Sequence, residues 1–219
     1  MAEVAAGLAR IGGDEWKGRI VLHTSGALDR SVLAPLAVRG AATGSLHPMQ
    51  TFSGRGVPRL DGVIFAVEGD PPAVKKARAI AHALGGEAVT LTGRDKPAYH
   101  AAGAFVAGRV LAVMEAATRI LMEMGFTRRR AAQALLPLVR QMLENFEHLG
   151  PRAAWTGPLS RGDYDTIAKH IEALAPFPRE VRDAYIALTR LTACMLTPQP
   201  RETLRRLDQL LGKPEGGEC

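Results

Sequence analysis

The first hundred residues alternate short apolar, often β-branched runs with stretches whose apolar positions recur at helical spacing. Residues 2–11 (AEVAAGLARI) open with a helical pattern. Residues 19–23 (RIVLH) predict a strand ending in Thr24-Ser25-Gly26, and 40–46 (GAATGSL) a weaker, small-residue strand ending in His47-Pro48. Residues 62–67 (GVIFAV) are the strongest strand pattern, and 88–91 (AVTL) a short fourth. Between them, 28–39 keeps Leu28, Val32, Leu33 and Leu36 at helical spacing. Residues 71–84 follow the cap-and-proline start Asp70-Pro71-Pro72 and stop at Gly85-Gly86. Strand and helix repeated at this interval predict βαβ units around a parallel sheet.

Beyond Asp95 the strand patterns cease. Residues 97–125 predict one long Ala-rich helix with Asp95 as N-cap, and 127–149, 160–174, 178–197 and 201–211 predict four more. The expected organisation is α/β then all-α: a sheet domain over 1–94, a helical domain over 95–212 and a flexible tail over 213–219.

Composition narrows the class. A chain of 219 residues with 47% apolar residues and two cysteines reads as globular, not as a disordered tail or a disulfide scaffold. Cys194 and Cys219 show no CxxC spacing, so both thiols are expected free in a reducing, cytoplasmic setting. The longest uncharged run, 40–54, has 15 residues, against roughly 20 apolar ones for a membrane span, so no membrane association is expected. The net charge of +6 is mild and spread along the chain. With few aromatics for stacking, no nucleic-acid partner is expected.

Candidate chemistry sits at strand ends, since ligands of open parallel sheets lie outside the carboxyl ends of the strands. Two strands end alike, in His23-Thr24-Ser25-Gly26 and in His47-Pro48-Met49-Gln50-Thr51. Each places an imidazole beside exposed backbone N–H groups, though either histidine alone reads equally as a capped loop residue. Lys96 and His100, four residues apart, share a helix face that continues through Gly103 and Ala107. Such a cation and imidazole suit a carbonyl substrate; the bland alternative is a solvated helix start and small residues for close helix packing. In the Gly/Pro-rich loop 154–163, Ser160 and Asp163 fit a capping-box-like start, whereas Thr156, Arg161 and Asp163 could close over a ligand. Arg128-Arg129-Arg130 reads as a solvated turn before an anion contact. His82, His148 and His170 are isolated, so no metal site is expected. A GxGxxG turn after the first strand is missing.

HTSGALD (23–29), GSLHPMQTFSG (44–54), EGD (68–70), KPAYHAAG (96–103) and TGPLSRGDYDTIAKH (156–170), in this order, resemble the bacterial Rossmann-like proteins that carry the C-terminal domain of unknown function 2520. That family is related to pyrroline-5-carboxylate reductase and 6-phosphogluconate dehydrogenase. The resemblance implies a partial Rossmann-like NAD(P)-binding domain lacking its first βαβ half, followed by a helical domain that pairs two copies into a homodimer. HPM at 47–49 is also similar to the HPMAG-type segment of prephenate dehydrogenases, in which the histidine lies at the substrate. Family members usually begin with a strand and GxGxxG, which makes this chain read as N-terminally truncated, and Gly108 stands where relatives commonly carry Asn.

The resulting expectation is an NADP- or NAD-dependent oxidoreductase acting on a small-molecule carbonyl or imine. His47, Lys96 and His100 would be catalytic, Thr24, Ser25 and Gly26 would contact the cofactor, and Gln50, Thr156, Arg161 and Asp163 the substrate. The alternative is a non-catalytic binding or dimerisation module that has lost dinucleotide binding with the missing turn.

Overall fold

The computed structural model describes residues 1–11 and 13–211, and two compact units divide the chain, 1–111 and 112–219. The tail expected at 213–219 lies outside the described residues.

The first unit is built on four strands, β1 (Ile20–His23), β2 (Ala42–Pro48), β3 (Ile64–Gly69) and β4 (Glu87–Thr90), in that spatial order. The sheet is mostly parallel: β1 runs with β2 and β3 with β4, while β2 and β3 are antiparallel. The one reversal has a simple cause. The 15 residues from 49 to 63 contain no helix or strand, and a parallel return needs a crossover, usually through a helix.

Helix α1 (Ala2–Ile11) buries Ala5 and Ala9 against Leu33, Leu36 and Ala41, next to the short helix α2 (Ala34–Ala37). The helical stretch expected at 28–39 is thus shorter and opens as a 3-10 turn, Arg30–Leu33, capped by the Asp29 carboxylate on the Ser31 N–H. Helix α3 (Pro71–Ala83) presents Ala73, Ala77 and Ala81, all fully buried, to the sheet. Alanine at every fourth position lets the helix approach closely, and β2 answers with its own small residues. A Cβ on Gly44 would meet Glu68 O at 2.6 Å and the Ala73 Cβ at 3.1 Å. The Asp70 carboxylate does not cap α3. It accepts from the Thr43 N–H at 2.8 Å and pairs with Arg30, tying the 3-10 turn to the sheet.

Helix α4 (Lys96–Ala104) follows a capping box in which Thr92 and Asp95 satisfy each other's backbone N–H groups. It runs through a π-helical turn, Phe105–Arg109, into α5 (Val110–Glu123). The boundary of the first unit falls two residues into α5.

The second unit comprises the rest of α5 with α6 (Arg128–Leu149), the short α7 (Pro151–Ala154), α8 (Tyr164–Ala173), α9 (Arg179–Leu196) and α10 (Pro200–Leu211). Ile167, Ala193 and Leu207 from α8, α9 and α10 form its buried centre. The helix expected from 160 begins at Tyr164, because Gly162 adopts φ 69° and ends a 3-10 turn, and Asp163 then caps α8 by accepting from the Thr166 N–H at 3.0 Å. Arg128 is held by Glu115, whose carboxyl is lowered to about 2 by hydrogen bonds from Arg128 and Arg119. Cys194 lies on α9, and the expectation of two free thiols falls also on Cys219, which lies outside the described residues. Among the described residues no helix is long and apolar enough to cross a membrane, and no group of three or more His, Cys, Asp or Glu could hold a metal ion.

Candidate functional site

A strand and a helix meet step by step at the site. Along β2, Ser45 and His47 project to one face because side chains alternate. Along α4, Lys96, Tyr99 or His100, and Gly103 share a face because every third or fourth residue does. Two strand residues span about 6.7 Å and three to four helical residues about 5.3 Å, a mismatch of about 1.4 Å per step that long side chains bridge over these two steps. Lys96 meets Ser45, Tyr99 and His100 meet His47, and Gly103 meets Met49.

Lys96 is fully buried. Its Nζ donates to Ser45 Oγ at 2.7 Å and to the Ser25 carbonyl at 3.0 Å, so it joins the loop after β1 to the middle of β2. Burial lowers its pKa from the usual lysine value, while Glu68 and Asp29 nearby pull the other way. His23 is buried at the end of β1. Its Nδ1 accepts from the Ser25 N–H at 3.1 Å, so its Nε2 carries the hydrogen and donates to the Asp29 carbonyl at 3.0 Å. Burial holds its pKa below the ordinary histidine value.

His47 and His100 stack edge to face, ring centroids 5.8 Å apart with planes at 81°. Tyr99 Oη lies 3.3 Å from the His47 carbonyl, which can only accept, and 3.2 Å from His47 Nδ1. This network assigns the hydroxyl hydrogen to the carbonyl and the ring hydrogen to Nδ1, leaving Nε2 of His47 with its lone pair. Gly26 is buried directly beneath: a Cβ there would sit 2.6 Å from His100 Nδ1 and 2.7 Å from His47 Nε2. Both ring nitrogens therefore pack against this glycine, and any side chain here would have to move them. Burial, then the neighbouring His100 and Lys96, lower the His47 pKa.

Beside the imidazoles opens a cavity of about 550 Å³ between the 47–51 segment and the α4–π-turn face. Gly103 and Ala107 line it, as do Gln50 and Thr51. A Cβ on Gly103 would stand 2.8 Å from Met49 Sδ, so the glycine admits the Met49 thioether.

Of the sequence-selected residues, His47, His100 and Gly26 converge, Gln50 lines the same cavity, and Lys96 lies behind them with its ammonium turned inward. Thr24 is exposed at the carboxyl end of β1 and Ser25 is half-buried, its Oγ accepting from the Leu28 N–H. Thr156, Arg161 and Asp163 belong to the second unit and form no single site within it: Thr156 lines a small hollow of about 90 Å³, Arg161 is exposed, and Asp163 caps α8. Tyr99 and Ser45 were not singled out by sequence reasoning. The signal was present as two interlocking periods, Ser45-His47-Met49 against Lys96-Tyr99/His100-Gly103.

These residues can be matched against a nicotinamide dinucleotide. The loop Thr24-Ser25-Gly26 follows the carboxyl end of β1, where Thr24 is exposed and Ser25 half-buried and could meet a nicotinamide, while Gly26 is covered by the two imidazoles. The pyrophosphate needs a turn of glycine N–H groups at a helix start, and the sequence contains no GxGxxG.

A mostly parallel sheet flanked by helices and followed by a helical unit is a partial Rossmann-like fold with a helical domain, an architecture shared with solved structures. The model of Domain of unknown function (DUF2520) matches residues 63–192, and the chain belongs to this family. Among solved structures, a Bacteroides fragilis protein designated an NADP oxidoreductase is 23% identical with a TM-score of 0.72, over 87% of this chain and 70% of that one. A Thermotoga maritima protein is 20% identical with a TM-score of 0.66, over 85% and 69%. The Plasmodium falciparum pyrroline carboxylate reductase with NADP bound is 11% identical with a TM-score of 0.54, over 97% and 79%. At these identities the likeness is one of fold. No curated protein matches the sequence.

Proposed function

We propose that this chain carries the substrate-side proton machinery of an NADP-dependent reductase acting on a small carbonyl or imine compound. The observation that carries this reading is the pair of imidazoles, His47 and His100, packed edge to face at 5.8 Å and both lining the cavity. A nicotinamide cofactor, when bound, supplies or takes up the hydride at the substrate carbon. His47 Nε2, held as an acceptor by the Tyr99 network, takes the proton of the alcohol or amine in the oxidative direction. In the reductive direction the protonated ring returns it to the oxygen or nitrogen as the double bond is reduced. His100 lines the same cavity and hydrogen-bonds the polar atom of the substrate. Lys96 touches neither substrate nor cofactor in this reading. It fixes the loop that carries Ser25 and Gly26, and so positions the two imidazoles. Thr24 and Ser25 would hold the nicotinamide end.

The experiment is NADPH oxidation at 340 nm with a panel of small ketones and cyclic imines, wild type beside His47→Gln. Turnover by the wild type with a 10²-fold or larger loss in the variant supports the reading. Absence of turnover with every compound, together with no saturable NADPH binding, refutes it.

A second reading is favoured by α6, where Leu138, Met142, Phe146 and Leu149 lie on one face and are each about half exposed or more, from 47% to 67%. An apolar stripe of this kind suits pairing of two copies. With no GxGxxG in the sequence, a binding or dimerisation module without turnover is the alternative that the same assay decides.

A further inference from the structure

The cavity beside the imidazoles also carries information on what it accepts. We propose that the ligand of this site is a neutral ketone or imine with an apolar substituent several carbons long, and not an oxo acid. The inference rests on the reading of His47 and His100 as the groups that meet the polar atom, and it adds the chemistry of everything attached to that atom. The lining combines the two imidazoles, Gln50 and Thr51 with thioether, methyl groups and bare backbone from Met49, Gly103, Val106 and Ala107. No Lys, Arg, Asp or Glu lines it among the described residues.

Lys96, behind the imidazoles, is fully buried and its Nζ is committed to Ser25 O and Ser45 Oγ. A carboxylate held against this lining would exchange water for methyl groups and find no lysine or arginine side chain among the lining residues. A neutral carbonyl loses only a few hydrogen bonds, which the imidazoles replace, and its hydrocarbon part gains by leaving water. The volume of about 550 Å³ lies within the range of small-ligand sites.

The test uses a matched pair, 2-heptanone and 2-oxoheptanoate, which differ by a methyl group against a carboxylate. Each is titrated into the full chain, and the imidazole ¹H–¹⁵N resonances of His47 and His100 are followed by NMR at pH 7.5. The expected result is a saturable shift of both rings with 2-heptanone, at a Kd at least tenfold below that for 2-oxoheptanoate. Ala107→Phe, which narrows the cavity from an exposed position, should weaken 2-heptanone at least tenfold while leaving the backbone amide spectrum folded. Equal or tighter binding of the oxo acid overturns the proposal, as does 2-heptanone that shifts neither ring. Hydride transfer is scored separately. Binding of 2-heptanone at the rings without NADPH oxidation keeps this inference and removes the reductase reading; turnover of the oxo acid in preference to the ketone does the reverse.

Discussion

The ammonium of Lys96 donates to the hydroxyl of Ser45 at 2.7 Å in the fully buried seam between α4 and β2. Its second bond, to the Ser25 carbonyl, makes one side chain the link among the loop after β1, the strand β2 and the helix α4. Removing it should loosen the seam and change the field at the histidines. Lys96→Met keeps much of the length while deleting two charge-assisted bonds. The loss is partly offset by the desolvation that a buried ammonium no longer pays, so a net destabilisation of about 1–3 kcal/mol is expected in urea unfolding at pH 7. Because Lys96 lowers the pKa of both His47 and His23, both imidazoles should titrate higher in the variant by NMR. A residue that merely filled space would leave them unmoved. The lysine's own pKa is lowered in the fold, so the unfolded chain holds that proton to higher pH. Wild-type stability relative to Lys96→Met should therefore rise as pH climbs through the window between the folded value and 10.5.

Gly26 bears on the site by what it lacks. Its Cβ would fall within 2.6–2.8 Å of His100 Nδ1 and of His47 Nε2 and Cε1. Gly26→Ala must displace both rings, at a cost of about 1–3 kcal/mol as for other overpacked sites. The edge-to-face contact of the rings should be lost from imidazole NMR, and whatever turnover the wild type shows should fall by at least 10²-fold. An alanine variant of wild-type stability with unshifted imidazole resonances would contradict the arrangement described.

Much of the element pattern was legible because punctuation is local. Prolines at 71 and 72 start α3, glycines at 85 and 86 end it, and Thr127 starts α6 by accepting from the Arg130 N–H. The reversal of β3 was not legible, since strand direction depends on what the chain does between 49 and 63, where no periodicity exists. The π-turn at Phe105–Arg109 carries no Pro, and its Gly108 does not by itself distinguish a π-turn from an α-helix. At the site, His47, Lys96 and His100 stand out by residue type alone. Ser45 and Tyr99 do not, because their importance comes from the docking of a strand face on a helix face, which is a tertiary fact. Lys96 shows the same limit in reverse: a lysine in the first turn of a helix reads as exposed, and only the seam turns it inward.

Two histidines make the first unit sensitive to mild acid. Burial, the leading cause for both, puts the His23 and His47 pKa values below 6.5 in the fold. The unfolded chain therefore takes up these protons first as pH falls. The stability contributed by the neutral rings is complete above pH 6.5 and is lost progressively from there down to the folded values, at up to about 1.4 kcal/mol per pH unit for each ring. Asp29, hydrogen-bonded by Ser31, and Asp70, by the Thr43 N–H, have lowered pKa values, so their contribution is present above 3.8 and is lost only below it. Urea midpoints should thus decline in two stages, below 6.5 and again below 3.8. His47→Gln should flatten the first stage by removing one of its two groups. An unchanged slope in that variant would show that His47 does not titrate as its surroundings require.

The exposed stripe of α6 predicts a concentration-dependent assembly. Leu138, Met142, Phe146 and Leu149 follow one another at four, four and three residues, the spacing of a single helix face. Leaving four large apolar side chains in water forfeits what burial would return, on the order of 1–2 kcal/mol each for partial coverage. A second copy placing the same stripe against this one would recover it for both chains. Sedimentation velocity of the wild type should show a dimer at micromolar concentration. Met142→Glu with Phe146→Glu should yield a monomer with helical content intact by circular dichroism, because neither side chain is in the buried centre formed by Ile167, Ala193 and Leu207. A wild type that sediments as a monomer at all concentrations, or a charged variant that still dimerises with the same affinity, would remove α6 as the pairing surface.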